Sequence, residues 1–311
     1  MSDKPPISER GAWSLAWQRF RHHKLAMASA ALLIVLAVLS AVAPLFEIMF
    51  GIDASRVDLL HRFTLPTTDA WLGRDELGRD VFVRMLYGGQ VSLLVGAVTA
   101  IAAAVIGTMV GLAAAYRGGW LDALLMRFTD AVIALPFLPL LIVLAAIDLN
   151  KLGIPPALIN SELISLYRII FIVALVGWTT SARLVRGAAL SIRERDFVLA
   201  ARAQGASAWR IMGVHILPNL VSPIIVATTL SAGKIILLGS GLSFLGLGIQ
   251  PPVASWGNQL TNAQELIYSA PQLAFFPGIA IFVTVIAFNF LGDGLQDALD
   301  PKSVSHASTG R

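Results

Sequence analysis

The sequence predicts an all-α integral membrane protein that crosses the bilayer six times, and three observations carry that prediction. Of 311 residues, 56% are apolar and only 14% charged, against about 25% charged in an ordinary soluble protein. The mean hydropathy of +0.74 leaves too few polar side chains to clothe a water-facing exterior. The apolar residues also gather in uncharged runs of about 20, the length that spans a hydrocarbon core of about 30 Å at about 1.5 Å per helical residue. A soluble globular enzyme is thereby excluded. The lack of cysteine excludes disulfides, thiolate metal sites, iron–sulfur clusters and a cysteine nucleophile. The histidines, His22, His23, His61, His215 and His306, show no metal-ligand spacing.

Taken in order, a tail over residues 1–24 leads into the first span, 25–46. Arg19, Arg21 and Lys24 precede it, and Ala41-Val42-Ala43 imitates a cleavage site. The run is nevertheless longer than the about 7–15 apolar residues of a signal peptide, and Pro44 follows directly, so it is expected to stay as an anchor. Residues 47–90 form an outer loop in which five arginines face seven acids; near neutrality reads as a folded or interfacial segment. The second span, Val91 to Ala115, is rich in the Gly and Ala that let membrane helices approach closely. The third, Leu124 to Ile147, is interrupted by Pro136 and Pro139, which should kink it. Arg127 and Asp130, near its start, have the spacing of a local ion pair. The fourth covers Ile169 to Thr180 with an extension toward Leu190, the fifth Asn219 to Leu247, and the sixth Leu273 to Leu291. An even number puts both termini on one side.

Lys and Arg accumulate in cytoplasmic loops. With the termini inside, fifteen cations fall on the cytoplasmic half, seven fall outside, and Lys234 lies within the fifth span. The net charge of +4 and pI near 9.7 therefore record orientation rather than nucleic-acid binding. Lys234, the one deep cation, either faces a watery pathway, pairs with a carbonyl or snorkels to an interface. A phosphate loop is missing: Gly233-Lys234 is followed by Ile235, and Thr228 stands where the first Gly belongs. Glycines 239, 241, 246 and 248 follow no strand and read as helix packing and termination. The spans hold neither the mid-membrane carboxylates of a proton-coupled carrier nor a nucleophile with its base. The chain is thus read as a non-enzyme whose energy arrives from a partner.

The stretch Ser191 to Asn219 is long for a simple connection. Asp196 can cap a short helix, Phe197 to Ala203, on which Ala200 and Ala201 leave a low-relief surface. Gly205 permits a turn closed to bulkier residues, Ala206 to Val214 reads as a second short helix anchored by Trp209 and Ile211, and Pro218 starts the next span. Two short helices at a Gly bend form a knob suited to docking in a groove of another protein, or a connector resting on lipid.

The segment from Asp196 through Ser207, with Ile216-Leu-Pro-Asn, resembles the EAA loop of binding-protein-dependent ABC importer permeases. Trp71-Leu-Gly-Arg-Asp-Glu-Leu-Gly-Arg-Asp, Leu242-Ser-Phe-Leu-Gly-Leu-Gly-Ile-Gln-Pro-Pro and Gly292-Asp-Gly-Leu-Gln-Asp-Ala-Leu-Asp-Pro-Lys are similar to segments of the C-type subunit of the dipeptide/oligopeptide/nickel subfamily. The resemblance implies a type I ABC importer permease fold in a bacterial inner membrane. Its core would be residues 91–292, with the cytoplasmic EAA loop at 191–218 and a cytoplasmic tail at 293–311. It implies as partners a second, B-type permease subunit, two cytoplasmic ABC ATPase subunits and an extracytoplasmic solute-binding protein. ATP and Mg would sit on the ATPases, with no cofactor on this chain. ATPase docking would then fall to Asp196, Ala200, Ala201, Arg202, Gly205, Ala206, Ser207 and Pro218, and the substrate pathway to Lys234, Ser240 and Asn258. Closure of the ATPases on ATP would move the knobs and switch the bundle between inward and outward openings. The name-giving Glu of the family falls at Leu199, several relatives carry a carboxylate where this chain has Gly239, and the segment 148–168 with Pro155-Pro156 has no place on the family pattern. Dipeptides, oligopeptides, nickel chelates and glutathione are all carried by similar subunits, so the motifs do not select a cargo.

Overall fold

The computed structural model describes residues 12–299 except 154, 157–160 and 162. Parts of both tails (1–11 and 300–311) and of the 148–168 segment thus lie outside the described residues. Three helices open the chain: α1 (Ala12–His22), α2 (Lys24–Ala41) and α3 (Ala43–Phe50). His23 caps α2 by accepting the Ala26 amide at 3.1 Å. The predicted first span is two helices, because Pro44 can occupy only the first turn of a new one. Phe46 and Phe50 stack on each other and meet Phe82 and Trp71 edge to face where α3 meets the outer loop, the kind of aromatic group that sits at a membrane interface.

Helix α4 (Val81–Arg117) has 37 residues and starts inside the segment read from sequence as loop. Asp80 caps it, accepting the Val83 amide at 2.9 Å. At about 1.5 Å per residue it is longer than the bilayer core, so its first turns, which carry Arg84, Tyr87 and Gln90, project beyond the uncharged part. The third predicted span is not a kinked rod. It is α5 (Gly119–Ala134) and α6 (Phe137–Ala145), bent by 86° at the break. Leu135 precedes Pro136 and is held extended at ψ 136°, as the proline ring requires, and Pro139 falls in the first turn of α6. Next come α7 (Ile164–Arg193), α8 (Asp196–Ala203), α9 (Ala208–Phe244), the short α10 (Ala263–Leu266) and α11 (Gln272–Leu299). Among the described residues, five helices are long and apolar enough to cross a membrane, and the bent pair, counted as one span, makes six.

Lipid is as apolar as leucine, so helices in a bilayer associate through close packing rather than through the hydrophobic effect. The α4–α7 pair meets that condition. Gly107 and Gly111 sit so close to α7 that a Cβ on either would run into the carbonyl oxygens of Trp178 and Ala182. The central core gathers Val95, Leu141, Ile169, Val173, Ile235 and Leu242, which draws α6 inward against α7 and α9. Gly292 of α11 likewise receives Leu230 of α9, and Gly294 receives Ala26 of α2. Helix α5 stands at the edge, with Thr129 its one buried residue. The predicted Arg127–Asp130 pair does not form: Asp130 reaches across to Arg183 of α7, because α5 and α7 run side by side here.

The knob at the arginine-rich end and the candidate pathway residues

An eight-residue helix has too few turns to be stable alone, so α8 depends on what it packs against. Val198 and Ala201, one turn apart, are buried. Val198 joins Leu112 of α4, Val185 of α7, and Ile211 and Ile216 of α9 in a second core. The knob is therefore continuous with three helices of the bundle. Asp196 is the first residue of α8 and makes no capping bond. Its carboxylate favours the helix through the positive end of the dipole rather than by the hydrogen bond expected from sequence. The far end closes as a Schellman motif: the Gly205 amide donates to Arg202 O at 3.0 Å and the Ala206 amide to Ala201 O at 3.1 Å. Gly205 has φ +79°, with nothing within 4 Å of where a Cβ would stand.

The second short helix expected over Ala206 to Val214 is instead the start of α9. Ser207 caps it, its Oγ accepting the Arg210 amide, and the chain widens into a π turn over Ile211–Ile216 before continuing as α-helix. Pro218 follows at once; it lacks an amide donor and crowds the preceding turn, and the wider turn accommodates both defects. Ile211 anchors as predicted, being fully buried, whereas Trp209 is 83% exposed. The outward face of the knob is thus Phe197, Leu199, Ala200 and Trp209, all exposed. Arg202 lies 5.8 Å over the Tyr116 ring.

Arginines counted from sequence only as markers of orientation also tie the knob down. Arg193 Nη1 donates to Ala115 O at 2.7 Å, satisfying a carbonyl in the last turn of α4. Arg186 grips Asp122 with two bonds of 2.6 and 2.7 Å. Replacing Arg186 with Gln leaves the Asp122 carboxylate, 16% exposed, without its partner, and is expected to cost about 1.5–3 kcal/mol, read as a lower melting temperature in detergent.

The three pathway candidates do not converge. Lys234 is exposed on the flank of α9, on the same side as Leu237. Ser240 is 7% exposed and lies under Gly257, whose missing side chain makes room for the Ser240 backbone. Ser240 packs a loop onto α9 rather than facing an open channel. Asn258 pins that loop: its Nδ2 donates to Val253 O at 2.6 Å and Ile249 O at 3.3 Å, and its Oδ1 accepts the Ser255 amide at 3.0 Å. Trp256 locks the loop onto α4 through Nε1 to Met85 O at 3.0 Å.

Apolar membrane-length helices packed through glycine contacts, with an ordered knob at one end, define a multi-pass membrane protein. Comparison with known proteins identifies which kind. Residues 103–304 match the family described as binding-protein-dependent transport system inner membrane component, and residues 11–55 match the N-terminal TM domain of oligopeptide transport permease C. The chain is 38% identical over 293 residues to the dipeptide transport system permease protein DppC of Alkalihalophilus pseudofirmus, covering 94% of this chain and 91% of that one. It is 39% identical over 296 residues to the glutathione transport system permease protein GsiD of Pectobacterium atrosepticum, covering 95% and 93%. With the oligopeptide transport system permease protein OppC of Bacillus subtilis it shares 36% identity over 302 residues, covering 96% and 93%. The chain belongs to the family of binding-protein-dependent transport system inner membrane components. It is a permease subunit of an ABC importer and a multi-pass inner membrane protein.

Proposed function

We propose that this chain is the C-type permease of an importer that moves peptides or related small solutes into the cytoplasm. In this reading it pairs with a B-type permease, each docks one cytoplasmic ATPase that holds ATP and Mg, and an extracytoplasmic solute-binding protein delivers the cargo. The observation that carries the reading is the knob. An outward surface of Phe197, Leu199, Ala200 and Trp209 is fixed to α4, α7 and α9 through Val198, Ile211 and Ile216. Closure of the ATPases can then move the span helices directly, and only states that differ in such contacts can be driven apart by ATP. The arginine-rich end is cytoplasmic, as are both termini. Leu199 replaces the acidic docking contact of the family with an apolar one. Lys234 faces the pathway shared with the second permease, where a cation is tolerated in the bilayer. The relatives carry dipeptides, oligopeptides and glutathione by name, and this chain takes a solute of that group.

Affinity purification of the intact complex, with mass spectrometry of its subunits and of the ligand on the binding protein, tests the proposal. A second permease and two ATPases are expected to co-purify, and a chain that purifies alone from native membranes contradicts it. Trp209→Ala is expected to leave the melting temperature unchanged, since the ring touches little within this chain. It should weaken ATPase retention by an amount typical of an interface anchor, about 2 kcal/mol or roughly 30-fold.

A further inference from the structure

At the end of the bundle opposite the knob, a cavity of about 250 Å³ opens between the first turn of α4, the exit of α9 and the start of α11. Asp75, Glu76, Arg79, Arg84, Gln250 and Gln259 are among its lining residues. Arg84 is the unusual member. Its side chain is only 7% exposed, yet among the described residues its one ion pair is with Asp75 Oδ2 at 3.5 Å, while Arg79 repels it and Glu76 attracts it only through space. That carboxylate is already engaged: Oδ2 takes Arg79 Nε at 2.7 Å, and Oδ1 takes the amides of Leu77 and Arg79, each at 2.9 Å. Two guanidiniums thus share one carboxylate, and the nearer one holds it. Glu76 reaches Asn262 at 3.5 Å and completes no pair with Arg84. A guanidinium removed from water needs an anionic partner with matched geometry, and here the open side of Arg84 is the cavity.

We propose that this cavity is a carboxylate-binding site on the outer face, in which the Arg84 guanidinium takes a free carboxylate of the solute. The inference rests on the proposed reading that this face receives solute. The volume is below that of sites that enclose a drug-sized ligand, so the cavity holds the carboxylate end of a molecule rather than the whole. The Nε2 groups of Gln250 and Gln259 are engaged with Gly246 O at 2.7 Å and Arg84 O at 2.9 Å, so the carboxylate is left to Arg84, and Glu76 in the same lining opposes anions and sets the affinity low.

Equilibrium binding to the purified full chain in nanodiscs tests the site, with N-acetylalanine as the probe and N-acetylalaninamide as its uncharged counterpart. No partner subunit and no ATP is needed, so failure here leaves the import reading standing. The acid is expected to bind at least tenfold more tightly than the amide, the difference of one charged hydrogen-bonding pair. Arg84→Gln should remove that preference. Because Arg84 is buried, a second variant guards against misfolding: Glu76→Gln should tighten the acid about threefold, the scale of one half-exposed charge, and leave the amide unchanged. Equal binding of acid and amide overturns the proposal, as does an acid preference that survives in folded Arg84→Gln or a Glu76→Gln chain that binds the acid no better.

Discussion

Replacing Gly205 with valine is expected to leave the bundle inserted and folded while uptake falls at least tenfold. The residue has φ +79° and nothing within 4 Å of its Cβ position, so the penalty is conformational rather than steric. A left-handed β-branched residue costs about 1–2 kcal/mol, and the paired bonds that end α8, Gly205 to Arg202 and Ala206 to Ala201, are lost if the turn relaxes. The outward face of Phe197, Leu199 and Ala200 then no longer holds its register with Trp209 on the next helix. Basal ATP hydrolysis by the partner subunits should persist, so the signature is hydrolysis without transport. Gly205→Asn is the control, because asparagine tolerates the left-handed region. It should retain most of the uptake, measured in proteoliposomes beside the valine variant.

The largest structural effect is expected from Gly111→Leu. The added side chain would drive into the Ala182 carbonyl and Val185, and backbone cannot swing aside as a flexible side chain does. Separating α4 from α7 opens the α4–α7 seam and loosens the core shared by Leu112, Val185 and Val198, so the knob loses its base as well. The cost is about 3 kcal/mol or more, at or beyond the upper end of overpacking penalties, seen as loss of folded protein in detergent extracts. Gly187→Leu, at an exposed position on α7 with nothing within 4 Å, should be neutral.

These glycine contacts show what sequence could deliver. The Gly- and Ala-rich run of α4 announced close helix approach, because small residues have few other reasons to recur in a span. Which helix it meets was not legible, since the partner lies some seventy residues away. Span positions are legible but helix lengths are not: the sequence shows where lipid must be, whereas α4 and α7 run beyond it, Arg84 buried with Asp75 of the outer loop and Gln90 bonded to Ser40 O of α2. Pro136 announced a break, but not that Leu135 would turn the chain through 86°. In the knob, Gly205 and Pro218 marked the turn and the entry to α9. The π turn between them has no sequence signature, and Phe197, Leu199 and Trp209 are the large apolar side chains left exposed there. Asp122 and Arg186 stand 64 residues apart, beyond any local spacing rule. Ser240 read as a polar lining residue because the glycine that covers it, Gly257, belongs to a loop with no periodic pattern.

The proposed function requires that solute cross through this chain only when partner subunits hydrolyse ATP. The most direct measurement is uptake into proteoliposomes of the ligand identified on the co-purified binding protein, comparing the complete complex with this chain alone. The complete complex is expected to accumulate ligand when ATP is supplied on the side of the knob, and to stop when ATP is withheld. This chain alone should move nothing under an imposed proton or sodium gradient. Gradient-driven uptake by the chain alone would contradict the account and make it a self-sufficient carrier.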